Sequence, residues 1–222
     1  MSRTIQLTAA DGVTIAAYRA EPSGKPRGGL VVLQEIFGVN PHIRRVADGF
    51  AAAGYLTIAP ALFDRAKPSV ELGYAPDDIA AGVALVGEVG HDGTMLDVAA
   101  AVKAASAGGK VGVVGYCWGG SLAFAAACGI DGVAAAVGYY GGNIAKSLDQ
   151  RPKAPLMLHF GERDDHIPMS DVDKVRAALP GTPVHVYDAG HGFNCDARGS
   201  YDEASAARAL ERTLAFLAEH IG

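Results

Sequence analysis

Residues Gly115-Tyr116-Cys117-Trp118-Gly119-Gly120 constrain this chain more than any other stretch. An apolar run, Val111 to Val114, leads into them and a helix-forming run, Ser121 to Ala127, leads out. Glycine, any residue, nucleophile, any residue, glycine is the spacing of a tight strand-to-helix turn, here with cysteine at the nucleophile's place. So sharp a turn forces its central residue into strained backbone geometry, and flanking glycines let neighbouring segments approach. The central side chain then stands clear at the end of the sheet, beside the unpaired N–H groups that open a helix. A free cysteine is ordinarily a buried packing residue. The strand before, the helix after and the surrounding glycines make Cys117 a candidate nucleophile instead.

The length of 222 residues suits one α/β domain over residues 1–222, and the half of them that are hydrophobic can build its core. A net charge of −5 offers no basic surface for nucleic acid or an anionic membrane. The three cysteines, 117, 128 and 195, are odd in number and lack a disulfide framework, which fits a reducing compartment. Residues 1–6 have no signal-like apolar stretch, and the weakly polar run from Ala51 to Phe63 is broken by Gly54 and Pro60. The expectation is a cytoplasmic protein, monomer or weak homodimer, acting on a small molecule.

Strands and helices alternate after an initial hairpin. Thr4–Thr8 and Val13–Tyr18 flank Asp11-Gly12, a strong hairpin signal. Leu30 to Leu33 is continuously apolar, as in a strand covered on both faces. Asn40-Pro41 reads as cap and first residue of a helix running to about Ala53. Further strands are expected over Tyr55–Ala59, Val111–Tyr116, Gly132–Tyr140, Leu156–Phe160 and Val184–Tyr187, and a helix from Asp92 to about Ala107. Residues 61–90 hold two prolines and a short helix-like piece from Asp77, and read as a lid or pocket wall. Ser170-Asp171-Val172-Asp173 and Ser200-Tyr201-Asp202-Glu203 read as starts of the last two helices. In the final one Ala207, Leu210, Leu214 and Leu217 mark the buried face. The pattern implies a mostly parallel sheet of about eight strands with helices on both faces.

A cysteine nucleophile needs a base within hydrogen-bond reach, and the base needs an orienting acid. Of seven histidines, His191 follows the strand Val184–Tyr187, between Gly190 and Gly192, at the sheet edge where Cys117 also emerges. The acid is sought after the strand Leu156–Phe160, where Glu162, Asp164 and Asp165 lie; the pattern leaves the two aspartates level. The order nucleophile, acid, histidine is that of α/β-hydrolases. In that arrangement the backbone N–H groups of Ile36, at the end of the third strand, and Trp118 would hold an oxyanion. Glu35 beside them reads equally well as a salt-bridged rim carboxylate.

The assembled chain resembles the dienelactone hydrolase family of the α/β-hydrolase fold, from about Gly12 to the C-terminal helix. The likeness is carried by Gln34-Glu35-Ile36-Phe37-Gly38-Val39-Asn40, Gly115-Tyr116-Cys117-Trp118-Gly119-Gly120, Gly161-Glu162-Arg163-Asp164-Asp165-His166-Ile167-Pro168 and Ala189-Gly190-His191-Gly192-Phe193. The resemblance implies Cys117 as nucleophile, His191 as base and Asp164 as acid in a cofactor-independent, metal-free ester or lactone hydrolase of the carboxymethylenebutenolidase type. It also implies that Glu35 holds the resting thiol and releases it when substrate binds. A carboxylate a few ångströms from the sulfur opposes ionisation by about 4 kcal/mol, against about 1 kcal/mol from the helix terminus.

One departure concerns substrate. The family's carboxylate-binding arginines have no counterparts: the position four after His191 is Cys195, and Ala66 to Lys110 contains no arginine. Arg65 and Arg198 are read as surface charges. Three rivals are weighed: a thiol-based redox sensor at Cys117, for which Cys128 is poorly placed as resolving partner; a non-catalytic binding module; and metal binding by His191 and Cys195, which lacks a second pair.

Overall fold

The computed structural model describes residues 2–222. One sheet holds eight strands among them: β1 (Ser2–Thr8), β2 (Thr14–Ala20), β3 (Gly28–Leu33), β4 (Tyr55–Pro60), β5 (Val111–Tyr116), β6 (Val133–Tyr139), β7 (Leu156–Gly161) and β8 (Val184–Tyr187). Their order is β1-β2-β4-β3-β5-β6-β7-β8. The Asp11-Gly12 hairpin pairs β1 with β2, β2 lies antiparallel to β4, and every pairing from β4 to β8 is parallel. Strands β3, β4, β5 and β7 are buried at every residue, as their unbroken apolar runs require.

The helices are α1 (Pro41–Ala52), α2 (Pro76–Val89), α3 (His91–Ala105), α4 (Trp118–Gly129), α5 (Met169–Ala178) and α6 (Glu203–His220). Asn40 caps α1, its side-chain oxygen accepting the Ile43 N–H at 3.2 Å. Helices α3 and α4 pack together on one face of the sheet. On the other, α1 and α6 flank a groove floored by Tyr116. The chain turns to the opposite side of β3 between β4 and β5, so the crevice at the strands' C-terminal ends opens between β3 and β5.

Three local readings need correction. Helix α5 starts at Met169 with Pro168 as an extended cap that makes no side-chain bond, so Ser170 lies inside the first turn. Helix α6 is capped by Asp202, whose carboxylate accepts the Ser205 N–H at 2.8 Å, not by Ser200. Its buried face is Ser205, Ala206, Ala209, Thr213, Phe216 and Leu217; of the expected stripe Leu217 is buried and Leu214 half-buried, whereas Ala207 and Leu210 are exposed. A polar residue explains the difference: Thr213 is fully buried because its hydroxyl bonds Tyr139 at 2.7 Å and His159 Nε2 at 3.1 Å.

The segment 61–90 is a wall built on the sheet's end. Leu72 N–H donates to Phe37 O at 2.9 Å, and Arg44 holds Glu71 through two bonds of 2.6 and 2.8 Å. The short piece expected from Asp77 is the fourteen-residue helix α2.

Candidate active site

Cys117 sits between β5 and α4 with φ 55° and ψ −114°, a conformation that costs a non-glycine residue about 1–3 kcal/mol. Main-chain bonds hold it there: Cys117 N–H to Tyr139 O at 2.9 Å, Gly119 N–H to Gln34 O at 3.1 Å and Ser121 N–H to Cys117 O at 3.2 Å. The turn is so tight that a Cβ on Gly115 would lie 1.8 Å from Gly119 O, which excludes every other residue.

The half-buried sulfur lies 3.2 Å from His191 Nε2. His191 Nδ1 faces Asp164 Oδ2 at 2.8 Å, and the other carboxylate oxygen accepts the N–H groups of His166 at 2.8 Å and Ile167 at 3.1 Å. That pair of amides fixes the acid's orientation, and Asp164 is buried whereas Asp165 and Glu162 are exposed. Tyr140 meets the His191 ring edge-on at 5.1 Å. Sulfur, imidazole and carboxylate therefore form one continuous line across the ends of β5, β8 and β7.

Electrostatics hold the thiol protonated. Burial pushes the Cys117 thiol up to about 12, and the charge of Glu35 adds to the shift. The Trp118 N–H, facing the sulfur from the first turn of α4, works in the opposite direction. Glu35, 1% exposed, is itself raised to about 7 by burial, against the pull of Arg198. Arg198 Nη1 stands 3.5 Å from Glu35 Oε1, an ion pair too long for a hydrogen bond, and among the described residues neither Glu35 oxygen has a hydrogen-bond partner.

Arg198 was expected on the surface and is instead a pocket residue, stacked near Phe37 at 5.7 Å and Tyr74 at 6.0 Å. No spacing announces it. Two successive turns after His191 (Cys195 N–H to Gly192 O, Arg198 N–H to Cys195 O) fold the loop back and deliver the guanidinium seven residues on, and a third (Tyr201 N–H to Arg198 O) follows it. Arg65 is far from surface-like as well: 12% exposed, it is clamped between Asp97 at 2.6 Å and Asp11 at 2.7 Å, and it does not line the pocket.

The pocket above Cys117 has a volume of about 300 Å³. Phe37, Trp118 and the α2 residues Ile79, Val83 and Val86 make it apolar, while His191, His166 and Arg198 supply its polar edge. The Ile36 and Trp118 backbones border the same space, and among the described residues neither N–H bonds a backbone carbonyl.

The dienelactone hydrolase family model matches residues 15–221. The chain belongs to the dienelactone hydrolase family. It is 34% identical to a carboxymethylenebutenolidase of Pseudomonas putida over 242 aligned residues, covering 98% of this chain and 97% of that one. Carboxymethylenebutenolidase 1 of Cupriavidus pinatubonensis is 30% identical, with 98% and 97% covered. A dienelactone hydrolase-family structure from Klebsiella pneumoniae superposes with a TM-score of 0.83 at 30% identity, covering 99% of this chain and all of the other. The fold is the α/β-hydrolase fold, and the family is one of hydrolases acting on ester and lactone bonds. No helix among the described residues is long and apolar enough to cross a membrane.

Proposed function

We propose that this dienelactone hydrolase-family chain cleaves a small ester or lactone through Cys117, with His191 as general base and Asp164 as its orienting acid. The observation that carries this reading is the unbroken line of 3.2 and 2.8 Å contacts from sulfur to imidazole to carboxylate. His191 takes the thiol proton, the thiolate attacks the carbonyl carbon, and the N–H groups of Ile36 and Trp118 hold the oxyanion. Collapse expels the alkoxide or enolate, which His191 protonates. A water deprotonated by His191 then attacks the thioester, and the thiolate leaves with its proton restored.

Glu35 keeps the resting enzyme quiet. Its charge and burial hold the thiol neutral, which resists alkylation and oxidation. The same upward shift argues against a redox sensor, which needs an acidic thiol. A substrate carboxylate that engages Arg198 would strip Glu35 of its counter-charge and drive it to its neutral form. Loss of that negative charge would let Cys117 ionise as substrate arrives. The apolar walls, the single pocket arginine and the volume of about 300 Å³ fit a compact anionic enol-lactone.

A second substrate reading has its own support. Arg198 is already paired with Glu35, so the resting pocket presents little net charge, and neutral esters or lactones would meet a largely apolar lining. A hydrolysis panel of dienelactones, neutral lactones and nitrophenyl esters, run on wild type and Cys117→Ala, separates the two. Full activity in Cys117→Ala would remove the mechanism. Every group in the cycle comes from one chain, so a monomer or weak homodimer in a reducing cytoplasm, needing neither nucleic acid nor membrane, is sufficient.

A further inference from the structure

Glu35, at the end of β3, converges with His42 from the first turn of α1 and Cys195 from the loop after β8. A donor atom of each lies within 4.8 Å of the others. All three are buried, with exposures of 1%, 4% and 0%. Among the described residues, both Glu35 oxygens and His42 Nε2 lack a hydrogen-bond partner. Buried polar atoms are nearly always paired, and each one left bare costs about 1–3 kcal/mol. A role toward Cys117 accounts for the carboxylate of Glu35. It accounts for neither the bare imidazole nitrogen nor the thiol beside it.

His42 is set up as a ligand. Its Nδ1 faces Asp196 Oδ1 at 3.0 Å, and the same oxygen accepts from Arg45 Nη2 at 2.7 Å. A carboxylate on Nδ1 holds the ring proton there and leaves a lone pair on Nε2, the arrangement found around metal-bound histidines. Burial pushes the His42 pKa down, which keeps the ring neutral. Cys195 donates its S–H to the Tyr74 hydroxyl at 3.2 Å, and that hydroxyl is fixed in turn by Asn40 Nδ2 at 3.1 Å.

We propose that Glu35, His42 and Cys195 form a binding site for a thiophilic divalent cation of the zinc class. One carboxylate, one imidazole and one thiolate are a donor set that zinc accepts. Tetrahedral zinc with bonds of about 2.0–2.3 Å needs donors about 3.3–3.8 Å apart, so modest side-chain rotations bring the three side chains onto the ion, with a water as the fourth donor. Binding releases the Cys195 proton to solvent, and the thiolate, the Glu35 carboxylate and the dication then sum to zero charge. Arg198 opposes the cation at 3.5 Å from Glu35 Oε1, but it is 18% exposed and can give up that contact while keeping its place beside Phe37 and Tyr74. Access need not pass the nucleophile. His42 and Asp196 also line a cavity of about 480 Å³ between α1 and α6.

The test is a Co2+ titration of the full chain, reduced and stripped of metal by chelation. One equivalent is expected to give a near-ultraviolet thiolate-to-cobalt band and the visible bands of a four-coordinate ion, all abolished by Zn2+. Cys117→Ala should keep this spectrum, Cys195→Ala should lose the thiolate band, and His42→Gln should weaken binding by about tenfold or more. If Cys195→Ala does not fold, Asp196→Asn, at an exposed residue, should still weaken Co2+ binding about tenfold. No thiolate band at saturation, a band that survives in Cys195→Ala or vanishes in Cys117→Ala, or unchanged affinity in Asp196→Asn would each overturn the site.

Discussion

Arg198 Nη1 stands 3.5 Å from Glu35 Oε1, so the buried carboxylate whose charge bears on Cys117 is ion-paired yet, among the described residues, accepts no hydrogen bond. A carboxylate fully satisfied by donors would be a fixed charge. One held by a single long ion pair responds to whatever else the guanidinium meets. The pocket's cation, its buried anion and its thiol are thereby linked in series.

Removing the anion tests the first link. Glu35→Gln keeps the shape and takes away the charge that helps hold the thiol near 12. At an effective dielectric of about 20, a charge several ångströms away is worth about 2–4 kcal/mol. Alkylation of resting Cys117 by iodoacetamide at pH 8 should therefore speed up by about tenfold or more. A rate equal to wild type would show that Glu35 does not restrain the thiol.

Removing the cation tests the second link. Arg198→Met retains length and apolar packing on Phe37 and Tyr74 but loses the charge. For a carboxylate-bearing lactone, kcat/KM should fall about tenfold or more, while neutral nitrophenyl esters, which need no guanidinium and meet a thiol that a neutral Glu35 no longer restrains, should not fall with it. Equal losses on both substrates would assign Arg198 to structure instead of recognition.

Glu35 also predicts a pH dependence of stability in chelated protein. Its folded pKa, about 7, lies above the ordinary value of 4.5, so the native state binds the proton more tightly than the unfolded chain. The stabilising contribution is complete below pH 4.5 and is lost as pH rises toward 7. The full span is about 3 kcal/mol. Relative to wild type, Glu35→Gln should gain melting temperature from pH 5 to about pH 7 and then hold a nearly constant difference to pH 8. A constant difference from pH 5 to pH 7 would contradict the raised pKa.

Much of the candidate site is legible in the sequence, for physical reasons. The turn around Cys117 leaves a glycine signature because a Cβ at Gly115 has no space, and the apolar strands announce themselves because both their faces are covered. Asp164 could not be told from Asp165 by pattern, since only the fold decides which carboxylate meets the two amides of His166 and Ile167. Arg198 is not legible as a pocket residue because two consecutive turns, not a repeat or a motif, carry it there. The buried stripe of α6 was misplaced because Thr213 is a polar residue made acceptable in the core by Tyr139 and His159, a pairing that hydropathy does not record.

The orienting role proposed for Asp164 has a separable signature. Asp164→Asn preserves the bonds from the His166 and Ile167 amides to Oδ1 but loses the charge facing His191. Its amide would favour the wrong imidazole tautomer, and kcat should fall by about 10²–10⁴. The same change at the exposed Asp165 should leave kcat within about twofold. Comparable losses at both positions would dissolve the assignment.

Helix α2 gives the sharpest conflict between local preference and the fold. Alanine is the better helix former by about 1 kcal/mol, so by propensity Gly82→Ala should stabilise α2. Yet a Cβ at position 82 would lie 2.1 Å from Ile36 O, and neither backbone can absorb that overlap without moving. Ile36 belongs to the loop proposed to hold the oxyanion, and a displacement of about 1 Å at a reacting group can cost about a hundredfold in rate. α2 is largely exposed, so the helix can shift outward without opening the core. Gly82→Ala should thus lower kcat by about tenfold to a hundredfold while the melting temperature moves by no more than a few degrees. Steady-state kinetics beside a thermal melt decide it: wild-type kcat in a folded Gly82→Ala protein would mean that the α2–Ile36 contact has no part in positioning the oxyanion loop.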